Sequence, residues 1–574
     1  MTFLALFFNL LAQDPYALGP DSNIQPGVPR GKVTQFVFAN SKVFPGTVRD
    51  YWIYVPAHAP AGKPLPAMVF QDGGSDIKDD SAFRATIVMD NLIHKGHIPP
   101  MAAIFVNPGV MPAPNGGTQQ GRFNRSYEYD GLGDRYARFL LDELIPEVRS
   151  KVSLSTDADD WALVGVSSGA IAAFNAAWMR NDAFHRVMSF IGSFVNLRGG
   201  QILSTLVRKT EPKTLRVYLQ DGSNDNNIYG GSWWMANQDL AASLEYAGYD
   251  YKFVTGTEQH NRKHGAAVLP DAMRWLWRDY GKPLAKAQPP ARNHHHQFLD
   301  DPGSGWELVS QGHGYAEGHT VDKQGNVYFT DGRLNKIWKI GLDGKAVIFK
   351  DDANKTTGLK AAADGRLYGG QAANRRIVAI DPASGKETVI VEDVNPNDLT
   401  VTSKGEIYFT DSRGKAVWFV DTKGEKTKVH EGIENPNGIQ LSPDQSLLVV
   451  SDSRNKWIWS FQVQPDGSLA NGQPFYRLET PDESSVSSAD GMTMDTEGFL
   501  YVTTNIGLQI CDPPGRVMAI LPKPQPGAPL ANLVFAGADF KTLYIGNGDK
   551  VYRRKMKRTG VTPWNVMKPP TPRL

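Results

Sequence analysis

The sequence predicts a multidomain chain: a three-layer α/β domain with a mostly parallel sheet, followed by a six-bladed β-propeller. Three observations predict it. Up to about residue 281 short apolar strands alternate with helical stretches. Beyond about residue 300 the helical signal stops, and a turn-into-strand pattern repeats at a nearly constant interval. The 574 residues, 41% hydrophobic and 10% aromatic, suffice for large cores and exclude wholesale disorder. The 61 basic and 60 acidic side chains nearly cancel, which argues against a dedicated nucleic-acid or anionic-membrane binder. Cys511 is the only cysteine, so an internal disulfide and a Cys-rich zinc module are both excluded.

At the start, Phe3 to Ala12 form an apolar run followed by Gln13-Asp14-Pro15. The run is too short to span a bilayer and suits the core of a secretory signal, residues 1–12, cleaved after Ala12, although no Lys or Arg precedes Arg30. The expectation is an exported protein, periplasmic or secreted, with no membrane span.

The first domain is expected over residues 33–281. Val48–Val55, Ala67–Phe70, Ala102–Val106, Trp161–Val166, Val187–Ile191 and Leu215–Leu219 read as strands, rich in branched and aromatic residues. Tyr136–Val152, Ala170–Met179, Asn237–Ala247 and Asp271–Tyr280 read as helices between or after them. A Pro-, Ala- and Gln-rich linker, 282–300, follows; its His294-His295-His296 is expected to be a solvated tract rather than a metal site. The propeller is expected over 301–562, with a tail from 563 to 574. Its anchor positions 328, 368, 408, 448, 501 and 544 are spaced by 40, 40, 40, 53 and 43 residues. Propeller blades repeat at ~40–50 residues, because one blade cannot bury its own faces and must stack on neighbours.

The chemistry of the first half centres on Gly165-Val-Ser167-Ser168-Gly169, between an apolar strand and a small-residue helix. Such a turn strains the serine backbone, projects its hydroxyl and brings it beside the helix N-terminus, where amides receive an oxyanion. Serine needs a base, itself oriented by an acid. In the strand–helix order of an α/β-hydrolase the acid follows the serine at a strand's carboxyl end, and Asp221-Gly-Ser-Asn-Asp225 lies there. Asp225 is the choice, with Asp221 closing or capping the turn. His260 and His264 both fall where the base belongs, and the residues alone leave the two open.

These segments resemble the enterochelin-esterase and feruloyl-esterase (esterase D-like) branch of the α/β-hydrolases. The likeness includes Val69-Phe-Gln-Asp72-Gly73-Gly74, Asn124-Arg-Ser-Tyr-Glu128-Tyr and Phe139-Leu-Leu-Asp-Glu143-Leu-Ile-Pro146. The resemblance implies Ser167 as nucleophile, Asp225 as acid and His260 as base, with Gly73 and Ser168 as the oxyanion hole. Where the family often has an aromatic residue five places after the histidine, Gly265 stands here. Ester hydrolysis is implied, and the acyl group is not.

In the second half, Glu317-Gly318-His319, Asn395-Pro-Asn397-Asp398, Asn435-Pro-Asn437-Gly438 and Ala489-Asp490-Gly491 lie at one phase of the repeat, just before a strand. The same position in successive blades recurs around the axis, so these side chains can meet. Two carboxylates and two amides offer oxygen alone, which suits a hard cation. The spacing resembles the gluconolactonase, senescence-marker-protein and luciferin-regenerating-enzyme-like propellers, with matching motifs at Glu317-Gly318, Asn397-Asp398-Leu399, Asn437-Gly438-Ile439 and Asp490-Gly491-Met492. The resemblance implies Glu317, Asn437 and Asp490 as ligands of a divalent cation, Ca²⁺ with Zn²⁺, Mn²⁺ or Mg²⁺ as alternatives. It implies Asp490 as general base and Asn397 beside metal or substrate. His319, where the family usually has Pro, is expected to line the pocket or to pack.

The combined expectation is an exported bifunctional hydrolase, a serine carboxylesterase joined to a metal-dependent sugar lactonase, acting on small esters, sugar lactones or acylated carbohydrates. The alternative keeps one half catalytic, with the propeller a carbohydrate-binding module or the esterase half inactive.

Overall fold

The computed structural model describes residues 14–114, 119–480 and 486–571. The expected signal segment, 1–12, lies outside the described residues. The chain divides into two units inside the expected linker, the first ending at Gln288 and the second beginning at Pro289, with Lys209–Glu211 grouped with the second. Among the described residues no helix is long and apolar enough to cross a membrane.

The first unit is built on eight strands: β1 Lys32–Phe38, β2 Arg49–Val55, β3 Ala67–Gln71, β4 Ala102–Val106, β5 Trp161–Val166, β6 Arg186–Phe190, β7 Arg216–Gly222 and β8 Asp250–Gly256. Their order across the sheet is β1-β2-β4-β3-β5-β6-β7-β8. The β1–β2 and β2–β4 pairs are antiparallel, and every pair from β4 to β8 is parallel. β3 to β7 are buried throughout, as their unbroken apolar runs require of strands covered on both faces. Helices α1 Ala85–His94, α2 Ser168–Met179, α3 Trp233–Ala247 and α4 Lys263–Leu276 follow strands in turn. Val88, Met89 and Leu92 of α1 join Ala266, Leu269 and Met273 of α4 over Met68, Phe70 and Phe105 in one core.

The helix expected at 271–280 instead starts at Lys263 and runs through Pro270. Proline inside a helix loses a backbone hydrogen bond and crowds the preceding turn. Burial of Ala266, Leu269, Ala272, Met273 and Leu276 offsets that local preference. The helix expected at 136–152 is observed from 135 to 149 with a π-helical stretch, Phe139–Leu144, just before Pro146. A wider turn there accommodates a residue that has no N–H to donate.

A buried ion pair ties this frame to the site. Arg49 of β2 donates both terminal nitrogens to Glu128 (2.6 and 3.0 Å), and both side chains are 0% exposed. Arg49→Met should strand the Glu128 charge and cost about 3–5 kcal/mol of stability, read as a lower midpoint in urea with an unchanged slope.

The second unit is a ring of six four-stranded antiparallel sheets. Each anchor residue of the repeat lies on the second strand of its blade: Tyr328 in Val327–Asp331, Tyr368 in Leu367–Gln371, Tyr408 in Ile407–Asp411, Leu448 in Leu447–Asp452, Tyr501 in Leu500–Thr504 and Tyr544 in Thr542–Asn547. The 53-residue interval reflects a long outer hairpin in the fourth blade, Trp457–Val463 with Leu469–Arg477, and the connection after it. Glu307–Gln311, from before the first blade, pairs with Lys550–Lys555 and completes the sixth. The ring is thus closed by hydrogen bonds between its two ends, and each blade keeps only a short outer edge. The three histidines expected in a solvated linker form a short helical turn, His294–Gln297, in which His295 is fully buried and bonded to Asn293 Oδ1.

Candidate active sites

The first site gathers at the carboxyl ends of β3, β5, β7 and β8. Ser167 follows β5 with φ 59° and ψ −122°, a strained conformation for a residue with a side chain. A Cβ on Gly165 would stand 2.0 Å from the carbonyl oxygen of Gly169, so the turn closes only with glycine there. The Ser167 hydroxyl lies 2.8 Å from His260 Nε2, and His260 Nδ1 lies 2.5 Å from Asp225 Oδ1. Burial raises the Asp225 carboxyl, but hydrogen bonds from His260, Asp221 and the Asn226 amide together hold it below its ordinary value. His264, in the first turn of α4, is buried beside Gln220 Nε2 at 3.0 Å with its ring tilted against that of Tyr16 at 4.5 Å.

Gly73 and Ser168, the expected oxyanion hole, lie just past the carboxyl ends of β3 and β5. Ser168 opens α2, and Gly73 follows Asp72, whose backbone is left-handed at φ 57°. Arg125 clamps Asp72 through both carboxylate oxygens (2.7–3.1 Å), fixing the turn. A Cβ on Gly73 would meet Phe105 Cα at 2.5 Å, so the turn can approach β4 only as glycine. Sequence reasoning missed Ser193, whose hydroxyl lies 3.2 Å from Ser167 Oγ and accepts from Trp233 Nε1 at 3.0 Å. Its position just past β6 was the available signal.

The second site lies on the propeller axis. The inner strands place three successive rings of side chains along it. By the phase of the repeat the uppermost comprises Glu317, Thr357, Asn397, Asn437, Asp490 and Ala531. The next reads glycine at four places, and at the other two Asn532 Nδ2 donates to Asp398 Oδ2 at 3.4 Å. A Cβ on Gly438 would stand 2.1 Å from the carbonyl oxygen of Asp490, so neighbouring blades meet this closely only without a side chain. Thr320, Lys360, Thr400, Gln440, Thr493 and Val534 form the third ring and line a cavity.

In the uppermost ring Asn397 Nδ2 donates to Asn437 Oδ1 at 2.5 Å, and Asn437 Nδ2 donates to Ser453 Oγ at 3.0 Å. Glu317 is pushed up to about 7 by burial and by the charges of Asp398 and Asp331. Asp490 is raised well above the ordinary carboxylate range by burial, then by Glu317 and Asp398. Carboxylates so crowded are the condition a cation relieves. Among the described residues no three His, Cys, Asp or Glu side chains could hold a metal by themselves, so a cation would rest on two carboxylates and amide oxygen.

The axis also carries an ammonium group. Lys360 donates to Gln440 Oε1 at 3.2 Å and attracts Asp398, which accepts from the Leu399 amide at 2.8 Å. His319 lies at none of the three ring positions. It is buried in the first blade with its ring stacked on Phe329 at 5.3 Å, and burial pushes it down to about 3. Of the two expectations for His319, the structure shows packing, because the residue alternates away from the axis between Gly318 and Thr320.

Comparison with known proteins gives each half a family likeness. Residues 44–275 match the family model described as "Putative esterase", and residues 315–548 match the "SMP-30/Gluconolactonase/LRE-like region". The chain is a hydrolase of carboxylic esters or lactones. A gluconolactonase of Zymomonas mobilis is 26% identical over 300 residues, 44% of this chain and 82% of the relative. A solved Xanthomonas campestris gluconolactonase aligns at 23% identity and TM-score 0.39, covering 43% of this chain and 88% of its own. The Shigella flexneri enterochelin esterase structure aligns at 20% identity and TM-score 0.37, over 46% of this chain and 63% of that one.

The two halves carry unlike sets of polar side chains. The first half offers an activatable hydroxyl with a base and an acid in contact. The second offers oxygen donors and a carboxylate whose proton is held near neutrality. Asp398 and Lys360 escaped sequence reasoning as axial residues, although Lys360 could have been found as a lone charge in the apolar inner strand Leu359–Ala361 at the repeat's own phase.

Proposed function

We propose that the chain is bifunctional: a serine carboxylesterase in the first unit and a divalent-metal-dependent lactonase, acting on sugar lactones, on the propeller axis. The contact from Ser167 through His260 to Asp225 carries the reading. In the esterase, His260 Nε2 takes the proton as Ser167 Oγ attacks the ester carbonyl, while Asp225 holds Nδ1–H and stabilises the imidazolium. The Gly73 and Ser168 amides receive the oxyanion, and His260 then returns its proton to the leaving alkoxide.

On the axis, Glu317, Asn437 and Asp490 would hold the cation, Ca²⁺ by the hardness of the donors. When bound, the cation supplies Lewis-acid polarisation of a carbonyl. Asp490 takes a proton from the attacking water and gives it to the ring alkoxide as the lactone opens. Asn397, bonded to Asn437, orients the substrate hydroxyls or steadies the ligand amide. The apolar run Phe3 to Ala12 supports export as part of the same reading.

The test assays the purified protein for metal content, then for hydrolysis of p-nitrophenyl acetate and opening of glucono-δ-lactone, with and without EDTA. The expected result is lactone opening that EDTA removes and Ca²⁺ restores, with acetate hydrolysis unchanged. Acetate hydrolysis that disappears with the chelator, or lactone opening indifferent to it, refutes the two-site division.

A further inference from the structure

The oxygen atoms behind the proposed triad are mismatched in their hydrogen-bonding capacity. Asp225 Oδ1 is used by His260 (2.5 Å) and by the Asn226 amide (2.5 Å). Its other oxygen, Oδ2, is fully buried with no ordinary donor. Asp221, last but one in β7, accepts from the Gly222 amide through Oδ1 at 2.8 Å, and its Oδ2 is likewise buried and undonated. Asn237 of α3 spends both amide hydrogens on the carbonyls of Gly192 (2.9 Å) and Trp233 (3.0 Å), leaving its own oxygen as a third orphan acceptor. The carboxyls of Asp221 and Asp225 face each other within hydrogen-bond reach, and Asn237 borders Asp221. Buried acceptors left facing one another are costly, and two ionised carboxylates at this separation repel. One added proton turns the arrangement into a donor with acceptors.

We propose that Asp221 is a positioning residue: a neutral carboxylic acid that donates its proton to Asp225 Oδ2, fixing the carboxylate that orients His260. The proposal rests on the serine-esterase reading of Ser167, His260 and Asp225. It assigns the proton by which residue can spare it. Asp225 receives hydrogen bonds from His260 and a backbone amide, which favour its charged form. Full burial of Asp221 favours its neutral form and outweighs the Gly222 amide and Asn237, which favour the charged one. Burial, then the hydrogen bond and charge of Asp225, push Asp221 up to about 9. The groups facing Asp221 are Asp225 on the loop after β7, His260 from the loop after β8 acting through Asp225, and the uncharged Asn237 of α3. The sign follows: the donor is present at neutral pH and is lost as pH rises through that alkaline value, when a second negative charge appears beside Asp225.

The test compares wild type, Asp221→Asn and Asp221→Ala for p-nitrophenyl acetate hydrolysis from pH 6 to 10.5, together with the rate at which a fluorophosphonate labels Ser167, located by mass spectrometry. Asparagine keeps an N–H for Asp225 Oδ2 and cannot ionise. Its kcat at pH 7.5 should stay close to that of wild type, and the wild-type decline near pH 9 should be absent. Alanine should lower kcat by about 10–100-fold with KM unchanged, the worth of one hydrogen bond to a charged group. Three superimposable pH profiles overturn the proposal, as does a folded Asp221→Asn as impaired as Asp221→Ala. If Asp221→Ala fails to fold, the asparagine profile decides alone. Failure of the underlying reading looks different: wild type itself would leave Ser167 unlabelled.

Discussion

Ser167→Ala should reduce kcat/KM for p-nitrophenyl acetate by roughly 10⁴–10⁶-fold while leaving lactone opening within about twofold of wild type. The size of the loss follows from what the hydroxyl does. Without it there is no acyl-enzyme, and His260 has no proton to take. The Gly73 and Ser168 amides remain, so about 10³-fold over water should survive through oxyanion stabilisation and binding alone. The change itself is small: alanine tolerates φ 59° no worse than serine, and only the contacts to His260 and Ser193 are lost. A melting temperature close to wild type, measured alongside the kinetics, separates lost chemistry from lost folding. If lactone opening falls together with acetate hydrolysis in the folded variant, both activities belong to one site and the propeller assignment is wrong.

Much of this was legible in the sequence because repeats and sharp turns leave local marks. The blade period placed all six anchors on second strands, since each blade needs the same turn into the same buried strand. The elbow was visible because its glycines are forced by contacts within five residues, Gly165 against Gly169. Glu317, Asn397, Asn437 and Asp490 share one phase of the repeat, and in the structure Asn397 bonds Asn437 while Glu317 and Asn437 both act on Asp490. What stayed hidden depends on tertiary surroundings. β1 lies at a sheet edge with a largely exposed alternating pattern, and α1 starts without a side-chain cap to mark it. The helix expected from Asp271 starts eight residues earlier because the local cost of Pro270 is visible in the sequence and its burial is not. The His260–His264 ambiguity has the same origin: two histidines four residues apart, one before α4 and one in its first turn, are told apart by what lies across from them, Ser167 or Gln220. His295, in a segment composed like a linker, is buried for reasons its composition does not contain.

Asp490→Asn should abolish calcium-dependent lactone opening and yet make the metal-free protein more stable. Asn keeps the shape and one oxygen, but removes a negative charge that burial, Glu317 and Asp398 all oppose. Relief of that repulsion should raise the melting temperature of the EDTA-treated protein by a few degrees, about 2–4 °C for each kcal/mol in a domain of this size. Calcium should stabilise wild type through its affinity for the folded state, by about 2.7 kcal/mol when the ion is at a hundred times its dissociation constant. The variant, with one carboxylate instead of two in the ring beside Asn437, should show little of that shift. Lactone opening should fall by about 10²–10⁴-fold from loss of the base alone, and further where the cation no longer binds. The opposed signs matter, since a residue holding the fold together would lower stability in both conditions. Should calcium raise the melting temperature of Asp490→Asn as much as that of wild type, the cation binds elsewhere, and the crowded carboxylates of the uppermost ring need another explanation.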